Sequence, residues 1–233
     1  MSAKNILLFG PQGSGKGTQG EKLAAALQLP LIVTGNIFRE NIKNETPIGV
    51  EAKTFINAGQ LVPDRVTCQM ISERLQRPDC ANGFVLDGFP RNLVQAEALD
   101  AIVPVTHLLH IAVDDQAAIE RIVGRRTCVA QGHVYHVKYN PAKVEGVCDV
   151  DGSELKQRED DTEAALAKRL EIYHQETEPL LAHYEKIGAV RTINGEQPIA
   201  DVWKDIQALF AWFAFIMPKS KPTCEPVAAY WLV

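Results

Sequence analysis

The chain has 233 residues, 46% hydrophobic and 23% charged, enough to bury a full core as one domain with insertions or as two domains. A net charge of −5 excludes a general nucleic-acid binder, and five scattered cysteines, an odd number, exclude a disulfide framework. No apolar leader precedes the first strand and no stretch is long enough to span a bilayer, so the sequence predicts a cytoplasmic protein without a transmembrane segment. Ile6-Leu7-Leu8-Phe9 reads as a buried strand and Glu21 to Leu27 as a helix. Between them lies Gly10-Pro11-Gln12-Gly13-Ser14-Gly15-Lys16-Gly17-Thr18. Glycines at 10, 13, 15 and 17 allow the backbone N–H groups to turn inward around phosphate oxygens at a helix N-terminus, and Lys16 adds a mobile positive charge.

Leu31-Ile32-Val33-Thr34 predicts a second strand, followed by a helix from Asn36 that breaks at Pro47 and closes at Gly59. Gln60-Leu61-Val62-Pro63-Asp64 reads as a turn into another helix. Phe84-Val85-Leu86 is a third strand, delivering Asp87-Gly88-Phe89-Pro90-Arg91 at its C-terminal end, the edge of an open α/β sheet where ligands bind. Asp87 suits the water shell of Mg²⁺, and Arg91 offers a bidentate fork to a phosphate. Gln95, four positions on, shares a helix face with Arg91 in this reading. His107 to Val113 forms a fourth strand whose histidines read as edge or core residues, and a helix from Ala117 leads to Gly124-Arg125-Arg126. Thr127 to Asp161 changes character, with turn residues punctuating short alternating runs that predict antiparallel hairpins. A long helix carrying Arg169, a fifth strand at Val190 to Ile193 and a last helix ending near Phe210 complete the order. Leu209 to Met217 is an apolar run, read as a helix end with a packed tail; a membrane-surface contact or dimer patch is its alternative.

The G-K-G-T form of the glycine loop together with D-G-F-P-R resembles the nucleoside monophosphate kinases, and adenylate kinases of the long-lid bacterial type above all. The resemblance covers residues 5 to about 210. It departs at Gln12, where that family usually carries Pro; here Pro11 stands one place earlier. The resemblance implies an α/β fold: a P-loop core with a five-stranded parallel sheet flanked by helices (1–32, 63–123 and 162–213), a helical monophosphate-binding insertion (33–62), a small β lid (124–161), and a C-terminal tail (214–233) of unassigned role. It implies reversible phosphoryl transfer from Mg-ATP to AMP, with ATP, AMP and ADP as partners, by a monomer. Kinases of UMP, CMP or GMP, and a non-catalytic nucleotide-binding protein on the same fold, are the alternatives.

By the same resemblance ATP is held by Gly13, Ser14, Gly15, Lys16, Gly17, Thr18, Arg121, Arg125, Val134, Tyr135 and Gln197. AMP falls to Thr34, Arg39, Gln60, Leu61, Val62, Gly88, Phe89, Pro90, Arg91, Gln95, Arg158 and Arg169. Lys16, Asp87, Arg91, Arg125, Arg158 and Arg169 carry the chemistry. So many cations repel one another when the site is empty, which predicts an open lid that closes on nucleotide and keeps water from the transferred group. Metal-binding lids of the family carry Cys-x-x-Cys twice, or Cys-x-x-Cys followed by Cys-x-x-Asp; this chain has Cys128-x-x-Gln131 and Cys148-x-x-Asp151. Two readings stay open: structural Zn²⁺ held by Cys128, Cys148 and Asp151 with His133 replacing the lost thiolate, or a metal-free corner held by hydrogen bonds.

Overall fold

The computed structural model describes residues 3–58, 60–158 and 161–210. Five strands form one parallel sheet: β1 (Lys4–Phe9), β2 (Leu31–Val33), β3 (Gly83–Asp87), β4 (His107–Ala112) and β8 (Val190–Asn194), in the order β2-β3-β1-β4-β8. Strand β1 is central and apolar on both faces, as a strand covered by helices on both sides must be. Ile6 and Leu8 pack with α1 (Lys16–Leu27) and α9 (Ile199–Phe210), while Leu7 and Phe9 pack with α4 (Asp64–Leu75), α5 (Leu93–Asp100) and α8 (Leu180–Glu185). Each of those four side chains is at most 2% exposed, and each contributes about 1.5–3 kcal/mol by burial.

The helices that follow β1 and β3 lie on opposite faces of the sheet, so a crevice opens between the C-terminal ends of these adjacent strands. Two segments depart from this sheet. Helices α2 (Thr34–Lys43) and α3 (Pro47–Asn57) pack on each other, and the break between them falls at Pro47, with the Thr46 hydroxyl accepting from the Gly49 N–H as N-cap. The second segment is an antiparallel sheet, β6 (Val134–His136), β5 (Arg125–Cys128) and β7 (Leu155–Lys156), reached from α6 (Asp115–Val123) and left through α7 (Glu163–Ile172). Helix α7 continues into a π-helical turn at Tyr173–Thr177, a local widening often found where a helix passes a functional site.

Three expectations need correction. Thr34 opens α2 rather than ending β2, because β2 stops at Val33 opposite Asp87. Arg91 precedes α5, whose N-cap is Asn92, so Arg91 and Gln95 share no helix face; instead the Arg91 N–H donates to Gln95 Oε1 at 2.8 Å. Gly17 lies inside α1 without a positive φ, so it is not needed to bend the chain; the positive-φ positions are Gly10, Gly13 and Gly15. The helix stop assigned to Gly59, and the tail from residue 211 onward with most of its apolar run, lie outside the described residues.

Candidate active site

The loop from Gly10 to Gly15 passes under α6 so closely that a Cβ on Gly13, at φ +89°, would sit 2.4 Å from the Ala118 carbonyl oxygen. Gly15, at φ +93°, is the N-cap of α1 and has nothing within 4 Å of its Cβ position, leaving the concave side of the loop open toward the helix N-terminus. Lys16 Nζ donates to the carbonyls of Gly10 and Pro11, the latter at 2.8 Å. Burial lowers its pKa to about 8, against an upward pull from Asp87, with Arg91 and Arg125 adding to the decrease.

Across the crevice β3 ends in Asp87, and the chain turns through Gly88 (φ +86°) and a cis Phe89–Pro90 peptide to Arg91. Arg91 Nε donates to the Gly88 carbonyl at 2.9 Å. Its charge is disfavoured first by burial and then by Arg169 and Arg39, while Asp87 supports it. The residues assigned to either nucleotide all line one cleft of about 690 Å³, together with Asp87. The lid is lowered over it: Gly132, Val134, Tyr135 and His136 share this cleft with the glycine loop, and His133 is close enough to Glu21 of α1 to act on its carboxyl. The open form expected from charge repulsion is not the arrangement described.

The individual groups are held in different ways. Arg125 makes a bidentate ion pair with Asp161, Nε to Oδ2 at 3.0 Å and Nη2 to Oδ1 at 2.5 Å, and the Asp161 side chain is fully buried. Arg158 Nε donates to Thr127 Oγ1 at 3.2 Å, and Arg39 Nη2 donates to Asn36 Oδ1 at 2.5 Å. Arg121 reaches toward the Gly13 carbonyl at 3.5 Å and lies 5.8 Å from the centre of the Tyr139 ring. Gln95 is buried, its Nε2 donating to Asp64 Oδ1 at 2.7 Å, so both ends of its amide are engaged. The buried Thr34 hydroxyl has no hydrogen-bond partner among the described residues, an unmet polar group in the cleft wall. Gln197 donates to the Asn194 carbonyl and to Asp205 Oδ2. Tyr135 turns its hydroxyl into the lid core, where it accepts from the Asp149 N–H at 2.8 Å. His107 packs on Phe210, and His110 sits between Tyr173 and Thr192; burial lowers the pKa of both, in keeping with structural histidines.

The family model described as adenylate kinase matches residues 8–189. The chain is also 47% identical over 210 residues to the adenylate kinase of Exiguobacterium sibiricum, which covers 88% of this chain and 98% of that protein. With the adenylate kinase of Bacillus subtilis the identity is 47% over 210 residues, 88% of this chain and 97% of that protein. The adenylate kinase of Clostridium botulinum strain Hall matches at 47% over 206 residues, 86% and 95% of the two chains. The chain belongs to the adenylate kinase family. The corner of its lid that holds the two cysteines is compact.

Cys128 Sγ, His133 Nδ1, Cys148 Sγ and one Asp151 carboxylate oxygen all lie within 4.8 Å of one another. Cys148 Sγ is 3.3 Å from His133 Nδ1, and Cys128 Sγ is 3.2 Å from Asp151 Oδ2. Gln131 meets this group through its backbone N–H, which donates to Cys128 Sγ at 3.3 Å. Burial raises the Cys128 thiol, but the Ser153 hydroxyl and the N–H groups of Gln131 and Ala130 outweigh it, also against Asp151, and bring the pKa down to about 6. Hydrogen bonds from Ser153 hold the Asp151 carboxyl well below the ordinary carboxylate range. The four described cysteines are free thiols.

Sequence reading passed over Asp161, Asp64 and Ser153, which hold Arg125, Gln95 and the lid corner respectively. The local signals for them were an acidic run after Arg158, an acidic residue between Pro63 and Arg65, and a serine two places after Asp151. Gln19 was missed too; its Nε2 donates to the Ile199 carbonyl at 2.9 Å, tying α1 to α9.

Proposed function

We propose that the protein transfers the terminal phosphoryl group of Mg-ATP to AMP, reversibly, giving two ADP. The observation that carries this reading is the meeting of Lys16 and Arg91 from adjacent strand ends in one cleft that Arg39, Arg125, Arg158 and Arg169 also line. An oxygen of the AMP phosphate attacks the γ-phosphorus of ATP, the bond to the β,γ-bridging oxygen breaks, and its electron pair leaves with ADP. No proton has to move, so positioning and charge supply the catalysis. Lys16 and the N–H groups from Gly13 to Thr18 hold the ATP phosphates, Arg39 and Arg91 hold the AMP phosphate, and Arg125, Arg158 and Arg169 surround the group in transit. Asp87, a carboxylate at the strand end, would hold the water shell of Mg²⁺, and that ion would supply further charge neutralisation on the phosphates. Thr34 and Gln95 take the adenine side of AMP, and Arg121 the adenine of ATP.

The core, the insertion 33–62 and the lid 124–161 act as three modules of a cytoplasmic monomer. The cleft needs no second chain, the described thiols are free, and no described helix is long and apolar enough to cross a membrane. Measuring ADP formation from ATP with AMP, UMP, CMP and GMP in turn tests the substrate: AMP is expected to be used at least about 10²-fold more efficiently than the others. Equal use of a pyrimidine monophosphate would overturn it.

We also propose that the lid corner takes structural Zn²⁺ through Cys128, His133, Cys148 and Asp151. Two sulfurs, an imidazole nitrogen and a carboxylate oxygen are a borderline-soft set suited to that ion, and their mutual proximity fits a tetrahedral site. Metal analysis of protein purified without chelator is expected to give close to one equivalent, with loss in Cys148→Ser; less than about a tenth of an equivalent leaves the hydrogen-bonded corner standing.

A further inference from the structure

Helix α1 begins at Lys16, and Gln19 follows three residues on, its backbone N–H donating to the Gly15 carbonyl at 3.0 Å. The Gln19 side chain is 2% exposed and lines the cleft. Its Nε2 donates to the Ile199 carbonyl at 2.9 Å across 180 positions of sequence, which fixes the orientation of the amide, since only the nitrogen can donate to a carbonyl. The Oε1 left over is buried and has no hydrogen-bond partner among the described residues.

A buried amide with its oxygen unmet is a poor stabilising element, because one neutral hydrogen bond is set against the desolvation of that oxygen. Apolar side chains already join the two helices in one cluster, Leu23 and Ala24 from α1 with Val202 and Ile206 from α9. Such packing is non-directional, and what the amide adds is register. The carbonyl it holds belongs to the first residue of α9 and closes the segment 195–199. The other end of that segment is fixed to the sheet, where the Gly195 N–H donates to the Ala112 carbonyl at 2.8 Å. A Cβ on Gly195 would lie 2.6 Å from Ile111 Cγ2, so this end sits tightly against β4. All five residues of the segment line the cleft together with Arg121, which is assigned above to the adenine of ATP.

We propose that Gln19 is a positioning residue for the nucleobase of the phosphate donor: its side-chain amide ties the segment 195–199 to the helix that carries the phosphate loop. The tie sets the span between the place where the phosphates are held and the place where the base is held. It rests on the phosphotransfer reading above, and its test separates the two.

Gln19→Met keeps the length of the side chain and removes the donor. In the full chain, calorimetric titration with ATP and with inorganic tripolyphosphate compares a ligand that carries a base with one that does not. ATP affinity is expected to fall about fivefold, the scale of one neutral hydrogen bond, while tripolyphosphate affinity and KM for AMP stay within about twofold. A side chain that merely supports the fold would move both affinities alike or neither. Thermal unfolding checks folding, and if the methionine variant melts well below the parent, Gln19→Asn, which draws the amide back by one methylene, takes its place. Unchanged ATP affinity, or an equal loss for ATP and tripolyphosphate, would overturn the proposal. A parent that binds ATP but forms no ADP with AMP would count against the phosphotransfer reading, and the two titrations would still decide for or against Gln19.

Discussion

The cleft and the lid corner both gather polar side chains, and they are built on opposite principles. The cleft assembles like charges, Lys16 with Arg39, Arg91, Arg125, Arg158 and Arg169, and among the described residues Asp87 and Asp161 are carboxylates set against Lys16, Arg91 and Arg125. Burial penalises the charge on Lys16 and Arg91, so the cleft is under electrostatic tension that an anion relieves. The lid corner gathers two thiols, an imidazole and a carboxylate that hydrogen-bond to one another and to Ser153, so it is nearly self-satisfied and gains most from a cation. Tension belongs where substrate must bind and leave; mutual satisfaction belongs where a hairpin must stay fixed.

Removing a member of the tense set produces the largest effects. Lys16→Met is expected to lower kcat by about 10³-fold or more with unfolding nearly unchanged, because the glycines and not the lysine set the loop path. Steady-state kinetics beside a melting curve checks this, and turnover within a few-fold of the parent would remove Lys16 from its role. Asp161→Ala leaves the Arg125 cation largely buried without its partner and is expected to cost about 3 kcal/mol of stability, read by denaturant unfolding.

In the self-satisfied corner the effect moves from rate to rigidity. Chelator treatment followed by gel filtration is expected to lower the melting temperature by several degrees while kcat at room temperature stays within a few-fold, since the corner touches no reacting atom. Equal loss of rate and melting temperature would mean that the two regions are not separable.

A smaller effect separates them by pH. Lys16 titrates near 8 in the nucleotide-free protein, and a bound phosphate favours its charged form, raising that value. ATP affinity is therefore complete below pH 8 and weakens as pH rises through 8, with proton uptake on binding. Calorimetry in two buffers of different ionisation enthalpy at alkaline pH measures that uptake, and its absence would contradict the assigned environment of Lys16.

The extent to which sequence revealed each region follows from the range of the interactions. The glycine loop, Asp87 and Arg91 were legible because strand, turn and helix signals surround them within a dozen residues, and each occupies a strand end that topology brings to one edge. The partners of Gln95 and Arg125 were not, since Asp64 and Asp161 lie 31 and 36 positions away and either could equally have been a solvated charge. Arg91 was misplaced onto a helix because Asn92 caps α5 one residue later, a boundary that spacing alone does not fix. The lid hairpins were legible as antiparallel, and His133 as a neighbour of the two cysteines, but the role of Ser153 depends on a turn that only the folded corner displays.

The central claim is that two nucleotides lie with their phosphates facing across this one set of cations. Isothermal titration with a molecule of two adenosines joined by five phosphates tests it most directly. One association cost then replaces two, and affinity is expected to exceed that for ATP by about 10²-fold or more, falling back toward that of ATP in Arg91→Ala. An affinity no better than that of ATP, or one indifferent to Arg91, would contradict it.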